Sequence, residues 1–352
     1  LLKTARTIFA LVALTVLGGC GPTAGPGGPG RKGREFLTVD FQPGHTLKYK
    51  FVSSRDMTID LEAAQSVSTS GRRAVDTSSE SMEMVVSYTP IEIDPYGVTK
   101  VKATCESVRV RRSKGPRRDP VQSLPGKTFT FTVGPTGRIE DRSELNELTK
   151  EIGKEVFRTG AEGARIKDPD MIADFVATQW FLWDAVASIK EPSKGVAVGD
   201  TWTSKLSVPT PMVMRKARNV TYRLDEVRPS EQGRLAVFKS SYQLADSVPN
   251  DWPIPYSGKF QVAGTFGFYG NYRVQDLQGE GEELFDIDAG RIEQYEQEYR
   301  LRLKASLIIP LSGVEPRITI NQKLTMVFLG DSDSRGRIAG QERERRGVHD
   351  RT

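Results

Sequence analysis

The chain has 352 residues, a formal charge of +5, and 27% charged against 37% hydrophobic residues. That balance suits a globular body with room for one large or two ordinary domains, and so small a positive excess argues against a nucleic-acid binder. With only His45 and His349 present, neither a Ser/His/Asp triad nor a His-based metal site can be assembled, and no cofactor is expected.

Leu1 to Cys20 reads L-L-K-T-A-R-T-I-F-A-L-V-A-L-T-V-L-G-G-C. Lys3 and Arg6 form a basic head, and Ile8 to Leu17 is an apolar run of secretory length, too short to span a bilayer. Leu17-Gly18-Gly19-Cys20 resembles the lipobox of bacterial lipoprotein signal peptides. The resemblance implies that residues 1–19 are removed and that Cys20 carries a diacylglyceryl thioether. An ordinary signal peptide cut near Gly18 or Gly19 is the alternative. Losing Lys3 and Arg6 lowers the charge from +5 to +3. Residues 20–35 are rich in Gly and Pro and read as a solvated tether. Cys105, left without an intramolecular partner, stands in phase with Val101 and Ala103 and reads as a buried small residue.

The body begins near Phe36. Three landmarks recur in order. Pro43-Gly44-His45-Thr46-Leu47 returns as Val198-Gly199-Asp200-Thr201-Trp202. Val86-Ser87-Tyr88 with Gly97 returns as Val220-Thr221-Tyr222 with Gly233. Phe131-Thr132-Val133 with Gly137 returns as Phe285-Asp286-Ile287 with Gly290. Gly44 and Gly137 stand 93 residues apart, Gly199 and Gly290 91. This predicts two β-rich repeat units, residues 36–140 and 193–330. Thr128 to Val133 alternates strictly, as a half-buried strand does. Tyr299, Leu301, Leu303, Ala305 and Leu307 alternate with polar residues, and Ile318, Ile320, Leu324, Met326 and Phe328 resume the pattern after a Pro- and Gly-containing loop.

Residues 141–192 read as a helical insert. Leu145, Leu148, Ile152 and Val156 recur at helical spacing. Asp168-Pro169-Asp170 opens a second helix, whose stripe runs from Ile172 to Ile189 and is broadened by Trp180, Phe181 and Trp183, until Pro192 ends it. Residues 331–352 are charged, with little to bury, and are expected to be disordered.

Four groups of residues bear on chemistry. Asp286, Asp288 and Glu293 near one turn leave carboxylate-based hydrolysis of wall or glycan material open, although turn acids are ordinarily solvated. Asp331, Asp333 and Glu342 match positions one, three and twelve of a calcium loop, but Arg335 puts a cation at position five and the upstream flank reads as strand. Arg109, Arg111, Arg112, Lys114, Arg117 and Arg118 crowd one hairpin end, which is either solvated or in contact with an anionic surface. Trp180, Phe181 and Trp183 either fill a helix-on-sheet core or line the mouth of an apolar-ligand site.

Pro192 to Trp202 approximates a P-x-x-x-V-x-V-G-D-x-W pattern. On it the body resembles uncharacterised bacterial envelope lipoproteins in which two β-rich halves flank a helical segment. The expected fold is therefore α+β: two antiparallel β-rich repeat units with a central helical insert packed on the sheet. The same arrangement is similar to that of bacterial lipoprotein carriers, in which a half-open barrel holds acyl chains under a helical lid. The expectation is a lipid-anchored protein on the extracytoplasmic side of a cell envelope, its leaflet unspecified, acting as a non-catalytic binding or structural module. Its partners would be an envelope protein, lipid or wall polymer. A lipid carrier and a carboxylate hydrolase are the alternatives.

Overall fold

The computed structural model describes residues 33–61, 75–115, 118–231, 233–308 and 315–333. The expected signal peptide, Cys20 and residues 20–32 of the tether lie outside them, as do Arg117, Glu342 and residues 334–352 of the tail. In chain order the elements are β1 (Arg34–Glu35), β2 (His45–Asp60), β3 (Val75–Ile93), β4 (Thr99–Arg112), β5 (Thr128–Val133), β6 (Ile139–Asp141), α1 (Ser143–Glu155), β7 (Phe157–Thr159) and β8 (Arg165–Lys167). Then come α2 (Ile172–Gln179), α3 (Asp184–Ala187), β9 (Val196–Ala197), β10 (Thr201–Ser207), β11 (Ala217–Pro229), β12 (Arg234–Leu244), β13 (Gln261–Val262), β14 (Tyr269–Asp286), β15 (Arg291–Leu307) and β16 (Arg317–Asp333).

The α+β expectation is corrected. Strand makes up 55% and helix 14%, so the fold is mostly β. Eleven strands form one antiparallel sheet in the order β10-β11-β12-β14-β15-β16-β2-β3-β4-β5-β6. The insert is not a pair of long helices. The second expected helix ends at Gln179, turns through residues 180–183 and restarts as the four-residue α3. The physical reason lies in Trp180, Phe181 and Trp183. A straight helix that is apolar around its girth buries only one face on a sheet, whereas the break sends Trp180 and Trp183 into the core and Phe181 elsewhere.

Both repeat stretches lie in this one sheet: β10-β11-β12-β14-β15 of the second runs in the same order as β2-β3-β4-β5-β6 of the first, and β16, which begins in the second stretch, joins the two. Gly137 and Gly290 occupy the β5–β6 and β14–β15 turns with φ of 79° and 61°. The expected last hairpin is present, with Leu301 opposite Ile320 and Leu303 opposite Ile318. Asp331 to Asp333 extend β16, paired with β2, and Arg34 and Glu35 pair with β9.

The sheet curls. Adjacent residues Val39 and Asp40 donate their backbone N–H groups to Pro135 O (2.8 Å) in the β5–β6 turn and Gly290 O (2.9 Å) in the β14–β15 turn. Those turns are separated by β16, β2, β3 and β4, roughly 24 Å in a flat sheet at ~4.8 Å per strand. One extended peptide reaches both only because the sheet bends around it. Leu37, Val39 and Phe41 of this strap are buried. The Trp183 ring meets Phe41 (5.6 Å between centroids), Phe131 (5.8 Å) and Tyr88 (6.3 Å). Next to it, Asp184 accepts from Ser204 and Tyr222 (both 2.9 Å) on β10 and β11. The helices thus fill the concave face.

Candidate functional site

The concave face is largely apolar, and a polar band crosses it. Inward positions that alternation assigns to the core are held by Ser53, Arg55, Glu80 and Gln322. Arg55, 2% exposed, donates from Nε to Glu80 (2.6 Å) and from Nη1 to Asp174 of α2 (2.7 Å). Asp174 also accepts from Ser53 (2.5 Å) and Gln322 (3.2 Å). Burial would raise the Glu80 carboxyl, but Arg55 and Arg112 outweigh it and hold it below the usual carboxylate range. Each charge is partnered, and the network fastens α2 to β2, β3 and β16.

Beside α2 lies the candidate binding site, an apolar cleft of about 350 Å³ that is open on one side. That volume falls within the ~300–1,000 Å³ range of small-molecule sites. Val176 of α2 and Phe181 form its floor. The loop from 208 to 216 and the segment from 248 to 260 form its walls, through Met212, Met214, Trp252 and Ile254. Phe181 and Trp252 pack edge to face with centroids 5.0 Å apart. Arg215 Nη2 ties the walls together by donating to the carbonyls of Pro249 (3.0 Å) and Trp252 (3.3 Å). Tyr256 donates to Asp170 (2.5 Å) at the entrance to α2. Gly153, inside α1, lets the wall approach: a Cβ there would sit 2.0 Å from the Pro255 carbonyl oxygen. Val213 and Ile254 stand exposed at the lips, and the charged lining residues, Arg215 and Lys216, are both cations.

The expected site residues separate. Trp180 and Trp183, 3% and 2% exposed, are packed into the core, whereas Phe181 is half-buried on the cleft. Arg109, Arg111, Lys114 and Arg118 are exposed at the end of β4 and just beyond it, away from the β3–β4 turn, with Lys114 paired to Asp76 at the start of β3. Arg112 leaves that group and turns inward to Glu80 (2.8 Å) and to Asp119. Asp286 is a turn former, its Oδ1 accepting from the N–H groups of Asp288 (3.0 Å) and Ala289 (2.9 Å). Asp288 pairs with Arg234 (2.7 Å) and Glu293 with Arg291 (2.8 Å). Asp331 lies on a strand 3.4 Å from His45 Nδ1, and no group of three potential metal ligands occurs among the described residues. No described helix is long and apolar enough to cross a membrane.

The walls of the cleft went unread in the sequence. Pro209-Thr210-Pro211-Met212-Val213-Met214 and Trp252-Pro253-Ile254-Pro255-Tyr256 carry the signal: apolar residues in proline-punctuated segments, where loops are ordinarily polar.

No family model matches the chain, and no curated protein matches it. Among solved structures, lipovitellin, described for its lipid–protein interactions, aligns over 84% of this chain at 12% identity and a TM-score of 0.41. The chain covers 26% of that protein's length. A protein of YmcC-like fold from Bacteroides fragilis, assigned as exported, aligns over 84% of this chain and 99% of its own at 10% identity and a TM-score of 0.28. Likenesses this distant carry no argument about function.

Proposed function

We propose that the body is a non-catalytic binding module whose cleft takes an apolar group, such as an acyl chain or the hydrophobic side chains of a partner. The observation that carries this reading is the half-open cavity between α2 and the two proline-rich walls, with exposed Val213 and Ile254 at its lips. The cleft is open on one side, so it favours a recognition site over a carrier that encloses a whole lipid. The turn and ion-pair roles of Asp286, Asp288 and Glu293 support the non-catalytic reading. Titration with a fluorescent fatty-acid analogue, with mass spectrometry of organic extracts from the purified protein, tests the cleft. Saturable binding is expected, weakened at least tenfold by Phe181→Asp; a linear, unsaturable response in wild type would overturn the reading.

The same proposal places the module at a membrane through Cys20. Intact-mass measurement should find a diacylglyceryl adduct that Cys20→Ser abolishes, since serine lacks the thiol. Exposed Arg109, Arg111, Lys114 and Arg118 would then meet an anionic surface, each adding roughly 1 kcal/mol.

A further inference from the structure

On the half of the concave face formed by β11, β12, β14 and β15 lies a second polar cluster, centred on Arg218. Its side chain is 1% exposed. The guanidinium carbon lies 4.5 Å from the Tyr242 ring centre and 4.3 Å from that of Tyr299. Nη2 donates to Gln297 Oε1 at 2.6 Å, while Nε and Nη1 have no hydrogen-bond partner among the described residues. The Tyr299 hydroxyl and Glu283 Oε1 are likewise buried and unpartnered. Gly279 and Gly281 of β14 make room for the rings: a Cβ on Gly281 would sit 2.2 Å from the Tyr242 hydroxyl.

The contrast with Arg55 is the point. Arg55 is met by two carboxylates within 2.7 Å, whereas no ion pair involving Arg218 is found among the described residues. A guanidinium stays charged in a protein, and a buried charge without a counter-ion is strongly unfavourable. The nearby acids do not supply one at contact distance. Asp184 is committed to Ser204 and Tyr222. Glu283 is pushed up to about 8, first by burial and then by Asp184, so at neutral pH it is mostly a neutral acid.

We propose that this cluster is an internal oxyanion site, in which Arg218 supplies the charge and the Tyr299 hydroxyl further hydrogen bonding to a phosphate or carboxylate group. The site is distinct from the apolar cleft. The anion is either a free ion or the headgroup of an amphiphile, and the test separates the two. Thermal unfolding of the full-length protein is followed with added inorganic phosphate or octanoate, each against sodium chloride at matched ionic strength. A saturable rise of about 5 °C at a hundredfold excess over Kd is expected, and it should disappear in Arg218→Met. A phosphate response assigns a free oxyanion; a response to octanoate alone assigns an amphiphile's carboxylate. Phe181→Asp, which disables the cleft, should leave a phosphate response intact. If Arg218→Met fails to fold, Tyr299→Phe should weaken the apparent affinity about fivefold. No saturable response to either anion, or one of equal size in the variants, overturns the proposal and leaves internal water as the partner of Arg218.

Discussion

Two buried acids give this protein an uncommon pH profile. Burial pushes Asp184 up to about 6, against its bonds from Ser204 and Tyr222, and Glu283 up to about 8. Both bind protons more tightly folded than unfolded. Their stabilising contribution is therefore full below their unfolded pKa values, near 4, and is lost as pH rises through about 6 and about 8 respectively. Between its two pKa values each group lowers stability by roughly 1.4 kcal/mol per pH unit. Urea denaturation across pH 4 to 8 should show this decline, and Asp184→Asn with Glu283→Gln should reduce it, the remainder coming from Asp119, which burial likewise pushes up to about 6. Arg55 makes the opposite case. Arg55→Met would strand Asp174 as a buried acid without a cation, leave Glu80 with Arg112 alone, and should cost about 3–5 kcal/mol. Trp183→Ala, in the packed core, should cost a similar amount, about 3–5 kcal/mol, without altering ligand uptake by the cleft.

At the scale of elements, the strap from Leu37 to Phe41 depends on two glycines. A Cβ on Gly290 would lie 2.6 Å from that of Asp40 and 2.9 Å from the Thr38 carbonyl oxygen, and Gly137 has the same relation to Val39 at 2.8 Å. Both have the positive φ that side chains disfavour. Gly290→Ala should therefore cost about 1–3 kcal/mol and speed amide exchange at Asp40, measured by hydrogen–deuterium exchange. Unchanged exchange there would mean that the strap holds by its buried side chains alone. The last hairpin was legible because Leu301, Leu303, Ile318 and Ile320 alternate without interruption. Glycines 137 and 290 marked turns, yet nothing in the sequence said that both turns meet one strap. Arg55 and Arg218 were illegible for a different reason: alternation places them inward, but a charge in such a position reads as a lapse in the pattern until its partners are seen. The cleft walls have no period at all.

For the whole molecule, the decisive fact is that β16 lies between β15 and β2. The sheet has no internal break at which residues 36–140 could be parted from 193–330 without baring the edges of two long strands. Unfolding monitored by tryptophan fluorescence and by far-ultraviolet circular dichroism should give coincident single transitions. Two separated transitions would mean that the halves hold together on their own. The helical content expected from the insert proved too high because long strands dominate; β14 alone has 18 residues.

That pairing also sets the order of events during synthesis. His45–Asp60 is made well before its neighbour Arg317–Asp333. At about 5–20 residues per second, one side of β2 waits roughly 13–50 s for its permanent partner. A long bare edge is a template for pairing with other chains, and contacts so distant in sequence form slowly. The nascent protein therefore depends on being kept apart from its siblings until Arg317–Asp333 arrives, and a chain truncated before residue 317 would keep that edge open for good.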